Sequence, residues 1–221
     1  MKQEDIFSNS EGNKWYERNS GVLSSEAKRV DLPLKLIKMY GLKPKKVLEI
    51  GCSNGWRLQE IATQYGAKCV GIEPSTVALK AGAKQFPKVA FKRGLASNIP
   101  TKDTFDLVIV NFVLHWVSRE LLLASIKEID RTVADGGYLI IGDFAPDSPA
   151  RTRYHHLPDE DVWTYKMDYA RAFTATALYG EVARLTFDHD NHLLESATSD
   201  RRGDAVLLKK SLSLYYAEQR R

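Results

Sequence analysis

Cysteine is scarce in this chain, with only Cys52 and Cys69 among 221 residues. Two thiols make no disulfide framework, and no Cys/His spacing resembles a zinc site, so the pair reads as reduced thiols of a cytoplasmic protein. Long apolar runs are also missing. The polar start MKQEDIFSNSEGNKWYERNS lacks the apolar core of a secretory signal. No stretch approaches the roughly 20 apolar residues of a membrane span. Charge of one sign is not in excess: 32 Lys+Arg against 28 Asp+Glu leave +4, too mild to indicate a nucleic-acid partner. Internal repeats, low-complexity tracts and mid-chain linkers are absent. What is present, 43% hydrophobic residues, suffices for one α/β domain with a sizeable core.

The apolar pattern alternates between two periods. Short apolar runs over 46–51, 69–73, 89–91, 105–110 and 138–144 predict strands. Helical spacing predicts helices over 24–40, 56–65, 75–86 and 121–133, with Ser75 as an N-cap. Strands alternating with helices imply right-handed βαβ units and a parallel sheet covered on both faces. The runs FDLVIV and YLII are almost continuously apolar, as doubly buried strands are. Beyond Pro149 the chain turns polar, and 161–178 reads as one helix in which Tyr165, Tyr169 and Phe173 form a core-type stripe. Strands near 181–187 and 204–209 would form a hairpin at the sheet edge. The expected architecture is a single-domain, doubly wound Rossmann-like α/β fold with a seven-stranded, mostly parallel sheet and a C-terminal antiparallel hairpin. Its parts are an N-terminal cap (1–40), a core (45–145), an insertion on the acceptor side (146–180) and terminal strands (181–210).

The loop after the first strand carries the first functional signal. In Val47-Leu48-Glu49-Ile50-Gly51-Cys52-Ser53-Asn54-Gly55 a strand ends in a glycine-bearing turn that leads into a helix. Open parallel sheets bind ligands beyond the carboxyl ends of their strands, at such turns. Gly51 allows close approach to the backbone and Gly55 can supply a positive φ. Glu49 at the strand end can receive an amino group. Glu73 ends the next strand, 24 residues on, where a carboxylate can accept from two ribose hydroxyls. Together they predict a nucleoside ligand. A dinucleotide fingerprint fits worse, since it needs glycine at Ser53 and at or near Trp56.

VLEIGCSNG followed by GIEPS resembles motif I and the acidic motif of class I S-adenosylmethionine (SAM)-dependent methyltransferases, with Ser53 where that family often has glycine. GLASNIP (94–100) resembles the family's adenine-side turn, FDLVIVNFVLHWV (105–117) its fourth strand and following loop, and Asp135-Gly136-Gly137 its turn into the fifth strand. The resemblance covers about 45–144 and implies SAM as cofactor. It implies a donor site at Glu49, Gly51, Cys52, Ser53, Gly55, Glu73, Pro74, Leu95, Ala96, Asn111, Phe112 and Val113.

Methyl transfer is in-line displacement at an already activated carbon, so the protein mainly orients the reactants, and a base is needed where the acceptor carries a proton. His115, His155 and His156 are the candidate bases, and Asp143, at the end of the fifth strand, is another. The alternative for His115 is packing beside Trp116. Asp143, Tyr154, Tyr165, Trp116 and Tyr16 are candidate acceptor contacts, and Trp15 and Arg18 belong to a segment that could fold over the donor as a lid. The His155–His156 pair near Asp159, Glu160 and Asp161 suggests no metal, because those acids suit a helix start and adjacent histidines point apart in extended chain. The expected activity is methylation of an O or N atom of a small molecule. WYERN and TYKMDY resemble small methyltransferases of bacterial surface sugars, which implies a sugar or nucleotide-sugar acceptor in glycan biosynthesis. The alternatives are a nucleic-acid or protein methyltransferase, or a SAM-binding protein without catalysis. The Asn/Asp-Pro-Pro-aromatic loop of amino-methylating nucleic-acid enzymes is missing, since Asn111-Phe112-Val113-Leu114 holds its place. No nucleic-acid or membrane partner is expected, and the chain would act as a monomer or homodimer.

Overall fold

The computed structural model describes residues 2–24, 31–190, 194 and 197–216, without the side chains of 22–24. A continuous helical segment opens the chain: α1 (Gln3–Ile6), a π-helical turn (Phe7–Glu11) and α2 (Gly12–Ser24). There follow α3 (Leu32–Met39), β1 (Lys46–Ile50), α4 (Trp56–Tyr65), β2 (Lys68–Glu73), α5 (Thr76–Gln85) and β3 (Val89–Arg93). Then come β4 (Phe105–Asn111), a 3-10 turn (Leu114–Trp116), α6 (Leu122–Thr132) and β5 (Val133–Phe144). The chain closes with β6 (Ala150–Arg153), β7 (Trp163–Lys166), α7 (Ala170–Thr174), β8 (Tyr179–Asp188) and β9 (Arg202–Lys210).

Seven strands form one sheet in the order β3-β2-β1-β4-β5-β9-β8, parallel except for β9, which is antiparallel to both neighbours. This is a Rossmann-like, doubly wound α/β fold. The two-residue period of the strands explains its layers. Val47 of β1 and Leu107 and Ile109 of β4 face one way, onto Leu36 and Ile37 of α3 and Leu58 and Ile61 of α4. Leu48, Val108 and Val110 face the other way, toward Ile129 of α6 and Tyr169 and Phe173. Both faces are therefore dry, which is why these strands read as unbroken apolar runs. Ser75 caps α5, its Oγ accepting from Ala78 N at 3.1 Å.

Two elements differ from the sequence expectation. The helix expected over 161–178 is strand β7 followed by the five-residue α7. β7 pairs antiparallel with β6, from Ala150↔Lys166 to Arg153↔Trp163, and this pairing overrides the helical spacing of Tyr165, Tyr169 and Phe173. Tyr169 and Phe173 are nevertheless core. Asp159–Asp161 accordingly start no helix. Of the helix expected over 24–40, residues 25–30 lie outside the described residues, and α3 begins at Leu32, capped by Asp31, whose Oδ1 accepts from Leu34 N at 2.8 Å.

Among the described residues no helix is long and apolar enough to cross a membrane, and no cluster of three or more His, Cys, Asp or Glu is arranged to hold a metal ion.

Candidate active site

A cavity of about 410 Å³ opens at the carboxyl ends of β1, β2 and β4. It lies where the sheet order reverses, between β1 and β4, the position at which open α/β sheets bind ligands. One wall is the loop after β1. There Gly51 N and Cys52 N donate to Ile72 O at 2.8 and 3.1 Å, which extends the strand pairing into the loop. Gly51 then adopts φ +71° and Ser53 φ +52°. Glu49, Gly51, Cys52 and Ser53 all line the cavity. Gly55 does not; it holds the N-cap of α4 with φ +76°.

The second wall is the end of β2, Glu73 and Pro74. Glu73 is buried, and its two oxygens accept from Ser53 N at 2.9 Å and Ser75 N at 3.0 Å. Burial pushes its carboxyl up to about 7, against the pull of those two donors. Glu49 is also buried and is likewise pushed up to about 7 by burial, in spite of its ion pair with Arg57. Glu49 Oε2 and Ser53 Oγ are buried with no partner among the described residues. Buried polar atoms are almost always hydrogen-bonded, so two orphans lining one cavity mark where a ligand's polar groups belong.

Leu95 and Ala96, after β3, form the third wall, and Asn111, Phe112 and Val113, after β4, the fourth. Phe112 holds φ +55°, an uncommon conformation for an aromatic residue. Of the three non-glycine residues with positive φ among the described residues, two, Ser53 and Phe112, line this cavity; such strain concentrates at functional sites.

The N-terminal helix forms a further wall, contributing Phe7, Gly12 and Trp15. It is anchored by polar groups. Gln3 Nε2 donates to Trp116 O at 2.6 Å and to Trp163 O at 2.8 Å, and Glu4 accepts from Ser118 N at 3.1 Å. Asn13 Oδ1 accepts from Ser75 Oγ at 2.8 Å, which ties α2 to the cap of α5. The π-helical turn brings Gly12 close under the carbonyl of Phe7, and π-turns recur at functional sites.

Other residues singled out in the sequence sit elsewhere. Arg18 pairs with the buried Glu11 and donates to Tyr154 Oη at 2.8 Å; Tyr154 Oη in turn donates to Glu11 at 2.7 Å. That knot pins the helix and leaves Arg18 and Tyr154 outside the cavity lining, as is Tyr16. His115 is buried beneath the β4 loop, its Nδ1 2.9 Å from Asp143 Oδ1. Asp143 also accepts from His115 N at 3.2 Å and Phe144 N at 2.8 Å. Neither residue reaches the cavity, whereas Trp116 does. His155 and His156 are exposed on the turn after β6, their ring centroids 4.0 Å apart, and do not line the cavity. Slight desolvation, with the positive charge of Arg18 adding to it, lowers the pKa of His156. Tyr165 lies on β7 under the guanidinium of Arg119, 4.3 Å from its ring centroid, and is likewise outside the lining.

The structure adds residues the sequence left unmarked. Trp56 and Arg57 of α4 line the cavity, and so does His189, just past β8. Arg57 joins Glu49 to Asp31, donating from Nε and Nη2 to Asp31 Oδ2 at 2.9 and 2.8 Å. An arginine eight residues after a strand-end glutamate is the only sequence trace of this triad.

The fold is that of class I SAM-dependent methyltransferases. Residues 48–141 match the model of the family described as "Methyltransferase domain". The chain is 33% identical over 152 residues to norajmaline N-methyltransferase of Rauvolfia serpentina, covering 64% of this chain and 51% of that protein. It is 28% identical over 157 residues to the chloroplastic tocopherol O-methyltransferase of Arabidopsis thaliana, covering 62% and 44%. The chain thus spans about half the length of the curated relatives it matches. Among solved structures it resembles 1,6-didemethyltoxoflavin-N1-methyltransferase of Burkholderia thailandensis, determined with 1,6-didemethyltoxoflavin and S-adenosylhomocysteine (SAH). The TM-score is 0.69 at 14% identity, over 91% of this chain and 86% of that one. The N-methyltransferase NodS of Bradyrhizobium japonicum, in complex with SAH, gives a TM-score of 0.62 at 16% identity, over 90% and 97%.

Proposed function

We propose that this protein transfers a methyl group from SAM to an oxygen or nitrogen atom of a small molecule. The observation that carries the reading is the pair of buried carboxylates, Glu49 and Glu73, at the ends of adjacent strands β1 and β2 and facing one cavity. The residues fit the cofactor. Glu73 would accept from the ribose hydroxyls, Glu49 Oε2 and Ser53 Oγ, without partners among the described residues, would meet the methionine end, and Leu95 and Ala96 would flank the adenine. When bound, SAM supplies a methyl carbon already activated by its sulfonium. The chain's task is then orientation and exclusion of water, for which the anchored N-terminal helix is suited. O- and N-methyltransferases both occur among the relatives, so an acceptor panel begins with amines and phenols. A sugar or nucleotide-sugar, the acceptor implied by the resemblance of the Trp15 and Tyr165 segments, completes it.

Calorimetric titration with SAH tests the donor site. Hydroxyl donors favour the ionised carboxylate, so binding pulls a proton off a Glu73 whose pKa is near 7. Affinity therefore rises with pH, and we expect SAH to bind about tenfold tighter at pH 8 than at pH 6. Glu73→Gln should weaken binding at pH 8 and flatten that dependence. Tight binding of SAH to Glu73→Gln, with the pH slope intact, would remove Glu73 from the site.

The same burial has a consequence for stability. A carboxyl raised from 4.5 to about 7 holds more protons folded than unfolded, so its contribution is full below about pH 4.5 and is lost as the pH rises through 7. Glu73→Gln without ligand should therefore melt higher than the wild type at pH 8 and gain nothing at pH 5. Equal melting temperatures at pH 8 would show the carboxylate to be well solvated.

A further inference from the structure

Of the four histidines described, His189 alone lines the cavity. The topology brings it there. Because β9 is antiparallel to both β5 and β8, β8 runs parallel to β5 and ends on the same edge of the sheet as β1, β4 and β5. His189 follows that end directly. Leu95 and Ala96 follow β3, at the opposite end of the strand order, with the β4 loop between. The two groups therefore bound the cavity from opposite sides. The His189 ring lies 5.4 Å from that of Phe112 and 4.7 Å from that of Phe144, and its Nδ1 is 3.5 Å from Asp190 Oδ1. Two aromatic rings and a carboxylate thus hold the imidazole beside the strained Phe112.

Resting on the methyltransferase reading above, we propose that His189 takes the proton released by the acceptor, with Asp190 positioning its ring. The acceptor would bind beyond Phe112, on the side of the cavity opposite Leu95 and Ala96. Its lone pair forms the bond to the methyl carbon while the carbon–sulfur bond breaks and that electron pair stays on sulfur. The O–H or N–H proton passes to the His189 imidazole and then to solvent. A half-exposed histidine is suited to this exchange near neutral pH. The charged groups around it are Asp190, the Asp188–Arg201 ion pair, and Lys166, whose ammonium lies 4.1 Å from the centroid of the Phe144 ring. His115 and Asp143 lie behind the same ring, with the His115 and Phe144 centroids 5.1 Å apart.

The test needs no acceptor. Ring resonances of the full chain are titrated by NMR in complex with SAH and with SAM, and His189→Gln identifies the His189 signal. SAM carries a sulfonium charge that SAH lacks. A nearby cation disfavours the protonated imidazole, so the pKa of His189 should be about half to one unit lower in the SAM complex. His155 and His156, outside the cavity, should be unmoved and serve as internal controls. Equal His189 pKa values in the two complexes overturn this proposal while leaving the methyltransferase reading intact. Failure of SAH and SAM to bind by calorimetry overturns that reading, and this proposal with it.

Discussion

Gly51→Ala should weaken SAH binding by roughly 100-fold or more, about 2.7 kcal/mol, in a protein that still folds. Two effects combine. Gly51 sits at φ +71°, where a side chain costs about 1–2 kcal/mol. A Cβ there would also overlap Cγ2 of Val113, and relieving such overlap costs about 1–3 kcal/mol more. Val113 lines the cavity, so the loop after β1 and the loop after β4 must part or Val113 must turn into the space the cofactor needs. Gly66→Ala separates strain from blockage. Gly66 ends α4 at φ +67°, and a methyl group added to it would meet nothing within 4 Å. That variant bears the backbone cost alone and should bind SAH as the wild type does. Calorimetry on both variants, with melting curves to confirm folding, decides the matter. Wild-type affinity in Gly51→Ala would mean the donor does not lie against this loop.

Different kinds of signal made parts of this molecule legible in the sequence. Doubly buried strands carry their own signature, so β1, β4 and the apolar half of β5 stand out as unbroken apolar runs. Glu49, Gly51 and Glu73 come together in one cavity because the ends of neighbouring parallel strands converge there, at fixed positions along the chain. β7 was hidden because Tyr165, Tyr169 and Phe173 recur at helical spacing, and only pairing with β6, a tertiary fact, makes a strand of Trp163–Lys166. The N-terminal helix is held by polar side chains: Gln3, Glu4, Glu11 and Asn13 anchor it through hydrogen bonds to distant elements. Histidine placement was the least legible. His115, close to the motif in sequence, lies buried against Asp143, whereas His189 reaches the cavity through the direction of a strand two places beyond β5 in the sheet. Local spacing carries no information about which edge of the sheet a late strand ends on.

Arg57→Ala should destabilise the fold by about 3–5 kcal/mol at pH 8, the usual cost of stranding buried charge. Arg57 is 9% exposed and its guanidinium is shared between Asp31 and Glu49. Burial alone would lower its pKa, but the two carboxylates outweigh burial and hold it above its ordinary value. Without Arg57, two acidic groups face each other in a poorly solvated space. In a chain of this size the loss corresponds to a melting temperature lower by roughly 10 °C. The deficit should shrink toward pH 5, because Glu49, already pushed up to about 7 by burial, takes up a proton and relieves the repulsion. The combined variant Asp31→Asn, Glu49→Gln, Arg57→Met tests what the triad is for. Replacing all members of a buried ionic cluster by neutral groups of similar shape is often close to neutral in stability, so this protein should regain most of what Arg57→Ala loses. It should still bind SAH poorly if Glu49 Oε2, without a partner among the described residues, is the acceptor for the methionine end proposed above. Recovered stability with lost binding would mean that Arg57 serves to keep Glu49 ionised inside the cavity. Recovery of both would show that the donor site does not need the Glu49 charge, and a loss below about 1 kcal/mol in Arg57→Ala would show that water reaches the triad.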